Sequence, residues 1–305
     1  MNSQKFYSNG KLLITGEYLV LDGAHALAIP TKYGQSLTVE PYKGGNLNWN
    51  SYDNAGNLWL EANLILRDGF IGASAKNDPL IDRLMEILNA AKKQHPTFLN
   101  GETGIKVSTQ LDFPRNWGLG TSSTLINNMA QWANIDPYVL LANTFGGSGY
   151  DIACAKHNAP IVYQLENNKR TIIETDFNPE FKEDLYFVFL NKKQNSRDGI
   201  AAYRKNKSNM NLALSEINAI TNDMISCTTL ETFQFLMQSH ETIISSIIKQ
   251  QPVKEMLFKD FKGSVKSLGA WGGDFVLAAS DENPEAYFKR KGFDTIISYG
   301  EMVLL

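Results

Sequence analysis

Residues 114–124 read Pro114-Arg115-Asn116-Trp117-Gly118-Leu119-Gly120-Thr121-Ser122-Ser123-Thr124. The two glycines let the backbone turn and approach an anion closely. Thr121, Ser122 and Ser123 bring hydroxyls and N-cap character. Behind them Leu125, Ile126, Met129, Ala130 and Ala133 recur at helical spacing. The stretch therefore predicts a glycine turn that opens a helix. A helix N-terminus offers unpaired N–H groups and the positive end of the dipole, so it attracts phosphate. Taken alone, the segment reads equally well as an ordinary Gly-Leu-Gly turn with a serine cap.

Upstream of this turn the pattern is mostly β. Short β-type runs at Lys11–Ile14 and Tyr18–Leu21 flank a strand region over 5–40, with another strand at Gly34–Glu40. Residues 44–57 read as hairpin turns, with strands around Trp49, Leu58, Trp59 and Leu60. A helix is predicted over 78–94, with Pro79 early and one apolar stripe from Leu80 to Ala91. Residues 104–111 alternate like a strand, and Pro137–Ala142 starts a further helical stretch. Ile161–Leu165 and Thr171–Glu174 form a hairpin pair. Asp176, Asn178 and Pro179 then interrupt the pattern, which places a domain boundary between 1–178 and 179–305. Beyond it come a strand at 185–190, helices at about 209–225 and 229–249, strands at 264–268 and 275–280, a short helix at 284–291 and a terminal strand. That order, β-α-α-β-β-α-β, predicts an α+β sheet with helices on one face.

The bulk numbers exclude several classes of function. At 305 residues, 43% of them hydrophobic and 20% charged, two ordinary globular domains can each bury a core. A net charge of −3 argues against a general nucleic-acid binder, so a phosphorylated ligand would need a local basic site. Cys154 and Cys227 form no C-x-x-C, and the four histidines show no metal spacing. No apolar run is long enough to span a bilayer. The expectation is a reduced, cytoplasmic protein with no nucleic-acid and no membrane partner.

Three further segments accompany the glycine turn. Gly10-Lys11-Leu12-Leu13-Ile14-Thr15-Gly16-Glu17-Tyr18 sets a lysine before a strand and an acid after a glycine. Gly146-Gly147-Ser148-Gly149-Tyr150-Asp151 sets one carboxylate past a flexible turn, where it reads equally as a helix cap. Lys266-Ser267-Leu268-Gly269-Ala270-Trp271-Gly272-Gly273-Asp274 is another glycine-rich connection between strands. Singly, each is more simply a surface lysine, a cap or a hairpin. As an ordered set, an N-terminal G-K-x-x-x-x-G-E, a central P-x-x-x-G-L-G-x-S-S and a late G-A-x-G-G resemble the GHMP kinases, from Gly10 to Asp274. Gly16-Glu17-Tyr18 and Gly272-Gly273-Asp274 look like the phosphomevalonate kinase branch. Ser148-Gly149-Tyr150-Asp151 resembles the segment around the catalytic Asp of the mevalonate branch.

The resemblance implies an α+β two-domain fold, with a left-handed β-α-β N-terminal domain of the ribosomal-protein type and a ferredoxin-like C-terminal domain. It implies ATP and Mg²⁺ as cofactors. Pro114, Trp117, Gly118, Leu119, Gly120, Thr121, Ser122 and Ser123 would hold the nucleotide, with Ser123, or Ser122 beside it, offering a hydroxyl to the metal. Asp151 would serve as base and Lys11 as its electrostatic partner. Glu17, Tyr18, Ser148, Arg197, Gly272 and Gly273 would face the acceptor, a phosphorylated or carboxylated alcohol such as phosphomevalonate or mevalonate. Arg197 belongs to a basic run over 192–207, and Arg115 is a second candidate for phosphate. A homodimer is expected by analogy alone. The chain departs from the family's pattern at four places, one of them a link from Ser123 to Asp151 that is short for the mevalonate branch. Thr124, Leu125 and Ile126 follow the serine pair where small residues are usual. Only Asp136 is acidic between Trp132 and Asp151, where the mevalonate branch has a metal-binding Glu. Trp271 stands where the family usually has Gly. The alternatives are a kinase for a sugar or homoserine-like acceptor, and a catalytically silent metabolite-binding relative.

Overall fold

The computed structural model describes residues 2–67, 70–73, 78–101, 104–194, 196–205 and 210–305. The chain divides into two compact units that interleave in sequence. One comprises Met1–Gly10, Tyr33–Arg115 and Leu119–Lys156, and the other Lys11–Lys32, Asn116–Gly118 and His157–Leu305.

In the first unit, the second part of a long strand, β2 (Ala26–Tyr42), pairs antiparallel with β6 (Gly104–Leu111). β6 pairs parallel with β3 (Asn46–Tyr52), and β4 (Leu58–Arg67) and β5 (Phe70–Ala73) extend the sheet antiparallel. A parallel pair cannot be closed by a tight turn. The chain between β3 and β6 accordingly runs through β4, β5 and helix α1 (Pro79–Gln94). α1 begins where its sequence asks. Asp78 caps it by accepting from the N–H groups of Leu80 and Ile81, and Pro79 occupies the first turn. Its stripe of Ile81, Leu84, Ile87, Leu88 and Ala91 is buried against Leu37, Trp49, Leu64 and Val107 of the strands. Helices α2 (Thr121–Ala133), α3 (Pro137–Ala142) and α4 (Tyr150–Lys156) follow, with Ile126, Met129, Ala130, Leu140 and Ile152 in the same core.

In the second unit, β9 (Leu185–Phe189), β10 (Ser264–Ser267), β11 (Phe275–Ala279) and β12 (Ile296–Ser298) form an antiparallel sheet in the order β10-β11-β9-β12. Helices α6 (Asn211–Ser226) and α7 (Leu230–Ile248) lie between β9 and β10 in sequence, and α9 (Glu285–Arg290) between β11 and β12. This is the β-α-β-β-α-β pattern of a ferredoxin-like domain. Val188, Val265, Val276, Ala278 and Phe288 pack one of its cores. The first residues of β2, Ala26–Ala28, pair here with β7 (Ile161–Glu166), which pairs in turn with β8 (Lys169–Glu174).

Three details differ from the sequence reading. Leu19–Asp22 is a 3-10 turn rather than a strand. Gly16 (φ 84°) and Tyr18 (φ 61°) reverse the chain, and Leu19 and Val20 are buried because the turn, not a pleat, faces inward. Residues 196–205 form a helix, α5, inside the basic run. The terminal strand is short and ends in α10 (Tyr299–Met302), held by a capping box between Ser298 and Glu301. No described helix is long and apolar enough to cross a membrane.

Candidate active site

The glycine turn has the conformation its residues predict. Gly118 (φ 69°) and Gly120 (φ 93°) are left-handed, a region that costs a side-chain-bearing residue about 1 kcal/mol or more. Gly120 is the N-cap of α2, and no side chain caps the helix there. The N-terminal turn thus keeps its amide donors for another acceptor. Ser122 is exposed, whereas Ser123 is buried and its Oγ donates to the Gly120 carbonyl at 2.8 Å. Of the two hydroxyls proposed for a metal ion, that of Ser122 is the accessible one. Pro114 and Trp117 are half-buried and Leu119 is fully buried. Arg115 lies over the Trp59 ring at 3.8 Å.

After the serine pair the chain turns inward at Thr124. Thr124 is fully buried, and its Oγ1 donates to Gln35 Oε1 at 2.7 Å. Asn128 Nδ2 donates to the Gln35 carbonyl at 2.9 Å, and Ser8 Oγ donates to Asn128 Oδ1 at 2.7 Å. Asn127 Nδ2 donates to Ser8 Oγ at 2.9 Å. A fully paired polar seam therefore ties the first turns of α2 to the strands, where the mutual bonds offset the cost of burial. Sequence reading missed it. Its signal is an Asn-Asn pair set between the apolar Ile126 and Met129.

Asp151 belongs to the first unit. Gly146, Gly147 and Gly149 are all left-handed (φ 68°, 109° and 90°), and α4 starts at Tyr150. Asp151 therefore lies inside the first turn and is not the cap. It is half-buried, and its Oδ1 accepts from the Ile152 N–H at 3.0 Å. Ser148 is buried beside it in sequence.

The other predicted residues fall in the second unit. Lys11 Nζ donates to the Gly118 carbonyl at 3.0 Å. Gly118 in turn lies against Asp274, so closely that a Cβ there would fall within 3.0 Å of its carboxylate. Gly273 is wedged equally tightly against the Lys192 carbonyl and Gln194, and Gly272 packs more loosely near Gln194. Tyr18 OH accepts from the Trp271 N–H at 3.2 Å, and its ring stacks on Tyr203 at 5.8 Å. The Trp271 indole is buried in the core with Tyr18, Leu19, Tyr203, Ile217 and Ile244. Arg197 falls in α5, and its side chain lies outside the described residues.

Glu17 is fully buried and forms an ion pair with Lys266, itself fully buried. Glu17 Oε2 also lies 3.1 Å from His240 Nε2, which accepts from the Gly16 N–H at 3.1 Å. Burial alone would raise the Glu17 carboxyl, but Lys266 and His240 overturn that and hold it below its ordinary value. Burial, with Lys266 nearby, pushes the imidazole below its ordinary value. Next to it on α7, burial pushes Glu241 up to about 8, reinforced by Glu17 and opposed by Lys266. Ser267 N–H donates to Glu241 Oε1 at 3.2 Å. Four ionisable groups thus share one core, and none of Lys266, His240 or Glu241 was assigned a role from sequence. Their legible signal was polar residues at apolar positions of a strand and a helix.

This cluster has a pH signature. Glu241 holds its proton in the folded chain up to about pH 8 and, unfolded, releases it near its ordinary value of 4.5. Stability should therefore fall as pH rises through that window, by up to about 1.4 kcal/mol per pH unit. Glu241→Gln keeps the acceptor for Ser267 and removes the titration. In urea unfolding it should flatten this slope and be more stable than wild type at about pH 8. An unchanged slope would show that Glu241 does not titrate in the core.

No protein-family model matches the chain, and no curated protein matches it by sequence. Solved structures do match its fold. That fold is the two-domain fold of the GHMP kinases. The mevalonate kinase of Methanococcus jannaschii superposes with a TM-score of 0.72 at 16% identity, over 100% of this chain and 99% of that one. The phosphomevalonate kinase of Streptococcus pneumoniae, in complex with phosphomevalonate and AMPPNP, gives 0.66 at 15% identity, over 99% and 98%. The galactokinase of Lactococcus lactis, complexed with galactose, gives 0.64 at 11% identity, over 95% and 88%.

Proposed function

We propose that this protein transfers the γ-phosphoryl group of ATP to the hydroxyl of a small phosphorylated or carboxylated alcohol, with phosphomevalonate and mevalonate as the first acceptors to test. The observation that carries the reading is the uncapped N-terminus of α2 behind two left-handed glycines, with Lys11 anchored on the first of them. The donor set suits a phosphate: backbone amides, hydroxyls and an ammonium. It suits a metal ion less. Among the described residues no three His, Cys, Asp or Glu side chains could hold one. Mg²⁺ would then rest mainly on nucleotide oxygens, with the Ser122 hydroxyl as the protein's contribution, and would neutralise phosphate charge.

In this reading the amides of 118–123 bind and orient the β- and γ-phosphates, and Lys11 stabilises charge that develops there. Asp151 accepts the proton of the acceptor hydroxyl. Lys192, Lys193 and Arg197 supply cations for a phosphorylated acceptor. Glu17, committed to Lys266, would act by holding the Gly16–Tyr18 turn rather than by reaching an acceptor. The Gly16-Glu17-Tyr18 and Gly272-Gly273-Asp274 segments, which look like those of phosphomevalonate kinases, support this acceptor over galactose.

The test is coupled ADP release with mevalonate, phosphomevalonate, galactose and homoserine. Acceptor-dependent turnover with one of the first two is expected. Turnover with galactose or homoserine alone would reassign the acceptor. No turnover with any of them, together with ligand-dependent thermal stabilisation, would favour a silent binding protein.

A further inference from the structure

Asp274 makes contacts that take no part in the proposed transfer step. It sits just before β11 at φ 55°, a left-handed backbone that few side chains adopt. Three bonds fasten it to the connection after β9. Its N–H donates to the Lys192 carbonyl at 2.7 Å, its carbonyl accepts from the Leu190 N–H at 2.8 Å, and its Oδ1 accepts from the Gln194 N–H at 3.1 Å. The opposite side of the carboxylate rests on Gly118. The neighbouring residues pair as well: the Trp117 ring meets Phe275 edge-on, with centroids 5.4 Å apart at 90°. Two consecutive residues of the glycine turn thus dock on two consecutive residues at the start of β11. Lys11 holds the same turn by its Gly118 carbonyl.

A carboxylate here needs a reason. Burial raises it above its ordinary value, against the Gln194 N–H and the charges of Lys11 and Lys193. A group placed only to attract a nucleotide would not be an acid. We infer that Asp274 is a positioning residue: clamped by Gln194, it sets where Gly118 lies and, through the Gly118 carbonyl, where the Lys11 ammonium lies. The inference rests on the kinase reading only for its consequence in catalysis. The docking of Trp117–Gly118 on Asp274–Phe275 stands without it. What positions the turn is the shape of the side chain and its acceptor oxygen, so the charge is dispensable.

The experiment compares Asp274→Asn with Asp274→Ala in the full chain. Asparagine keeps the shape and the acceptor for Gln194, and alanine removes both. Proteins labelled with fluorotryptophan report the turn directly, with the Trp117 resonance assigned by Trp117→Phe. In nucleotide-free protein the Trp117 signal should move in the alanine variant and stay in the asparagine variant. Misplacing the turn weakens phosphate binding, and misplacing Lys11 withdraws stabilisation of the charge that develops in transfer, so the alanine variant should show a raised nucleotide KM together with a kcat lowered about tenfold or more, and asparagine should rescue both. An unmoved Trp117 signal in the alanine variant would overturn the inference. So would an asparagine variant as impaired as alanine, which would mean that the charge acts directly. If wild-type protein turns over no acceptor, the kinase reading fails, while the fluorine signal still decides the role of Asp274.

Discussion

Lys266→Met should lower the unfolding free energy by about 3–5 kcal/mol near pH 7. Methionine replaces most of the lysine stem, so lost packing is a minor part of that. The cost comes from Glu17, which is left fully buried without its cation. The carboxyl then takes up a proton instead of staying ionised. Holding that proton costs about 1.4 kcal/mol for each pH unit between its ordinary value and the solution pH. From an ordinary value of 4.5 for a glutamate, the loss at about pH 7 is near 3 kcal/mol from this alone, and at about pH 5 it shrinks below about 1 kcal/mol. The double variant Glu17→Gln, Lys266→Met leaves neither charge in the core and should recover most of the stability, as replaced buried pairs often do. Urea unfolding of the three proteins at both pH values separates these outcomes. A loss under about 1 kcal/mol at pH 7, or a double variant no better than the single one, would mean that the pair is not the buried bridge described.

The second large effect is on turnover. Asp151→Asn keeps the size of the side chain and an oxygen that can accept the Ile152 N–H, so the start of α4 should be preserved. It removes the proton acceptor. kcat should fall by about 10²–10⁴-fold, the range general-base catalysis supplies. KM for ATP should change little, because Asp151 is not among the groups proposed to hold the phosphates. Steady-state ADP release with the best acceptor, alongside a thermal melt of both proteins, measures this. More than about a tenth of wild-type turnover in a well-folded variant would remove Asp151 from the mechanism.

Most elements of this fold were legible because they obey local rules. The 3.6-residue stripe and Asp78–Pro79 start of α1, the alternation of β6 and the glycines before α2 each specify their own structure. What was not legible depends on partners distant in sequence. The Leu19–Asp22 turn has β-type residues and becomes a 3-10 turn because Gly16 and Tyr18 take positive φ. α5 lies in a run that reads as surface charge because its cations dominate, although Ile200 and Tyr203 anchor one side of it in the core. The site shows the same division. Lys11 and the glycine turn were readable as motifs, and the structure joins them by one hydrogen bond. His240 and Glu241 belong to no motif, and only folding sets them beside Glu17, 223 and 224 positions earlier, and Lys266, 26 and 25 positions later. Trp271 stands at a position of the glycine-rich connection where the resembled motif usually has Gly. Its indole fills the core beside Tyr18 and Tyr203.

If the turn over 118–123 holds the phosphates of a nucleotide, calorimetric titration of the wild-type protein with AMPPNP and Mg²⁺ should show saturable binding at one site per chain. That binding should be lost in Gly118→Ala, where a methyl group would strike the Asp274 carboxylate and strain a left-handed backbone. A folded wild-type protein that shows no saturable heat up to about millimolar nucleotide, a Kd corresponding to only about −4 kcal/mol, would contradict that role of the turn, as would undiminished binding by the Gly118→Ala variant.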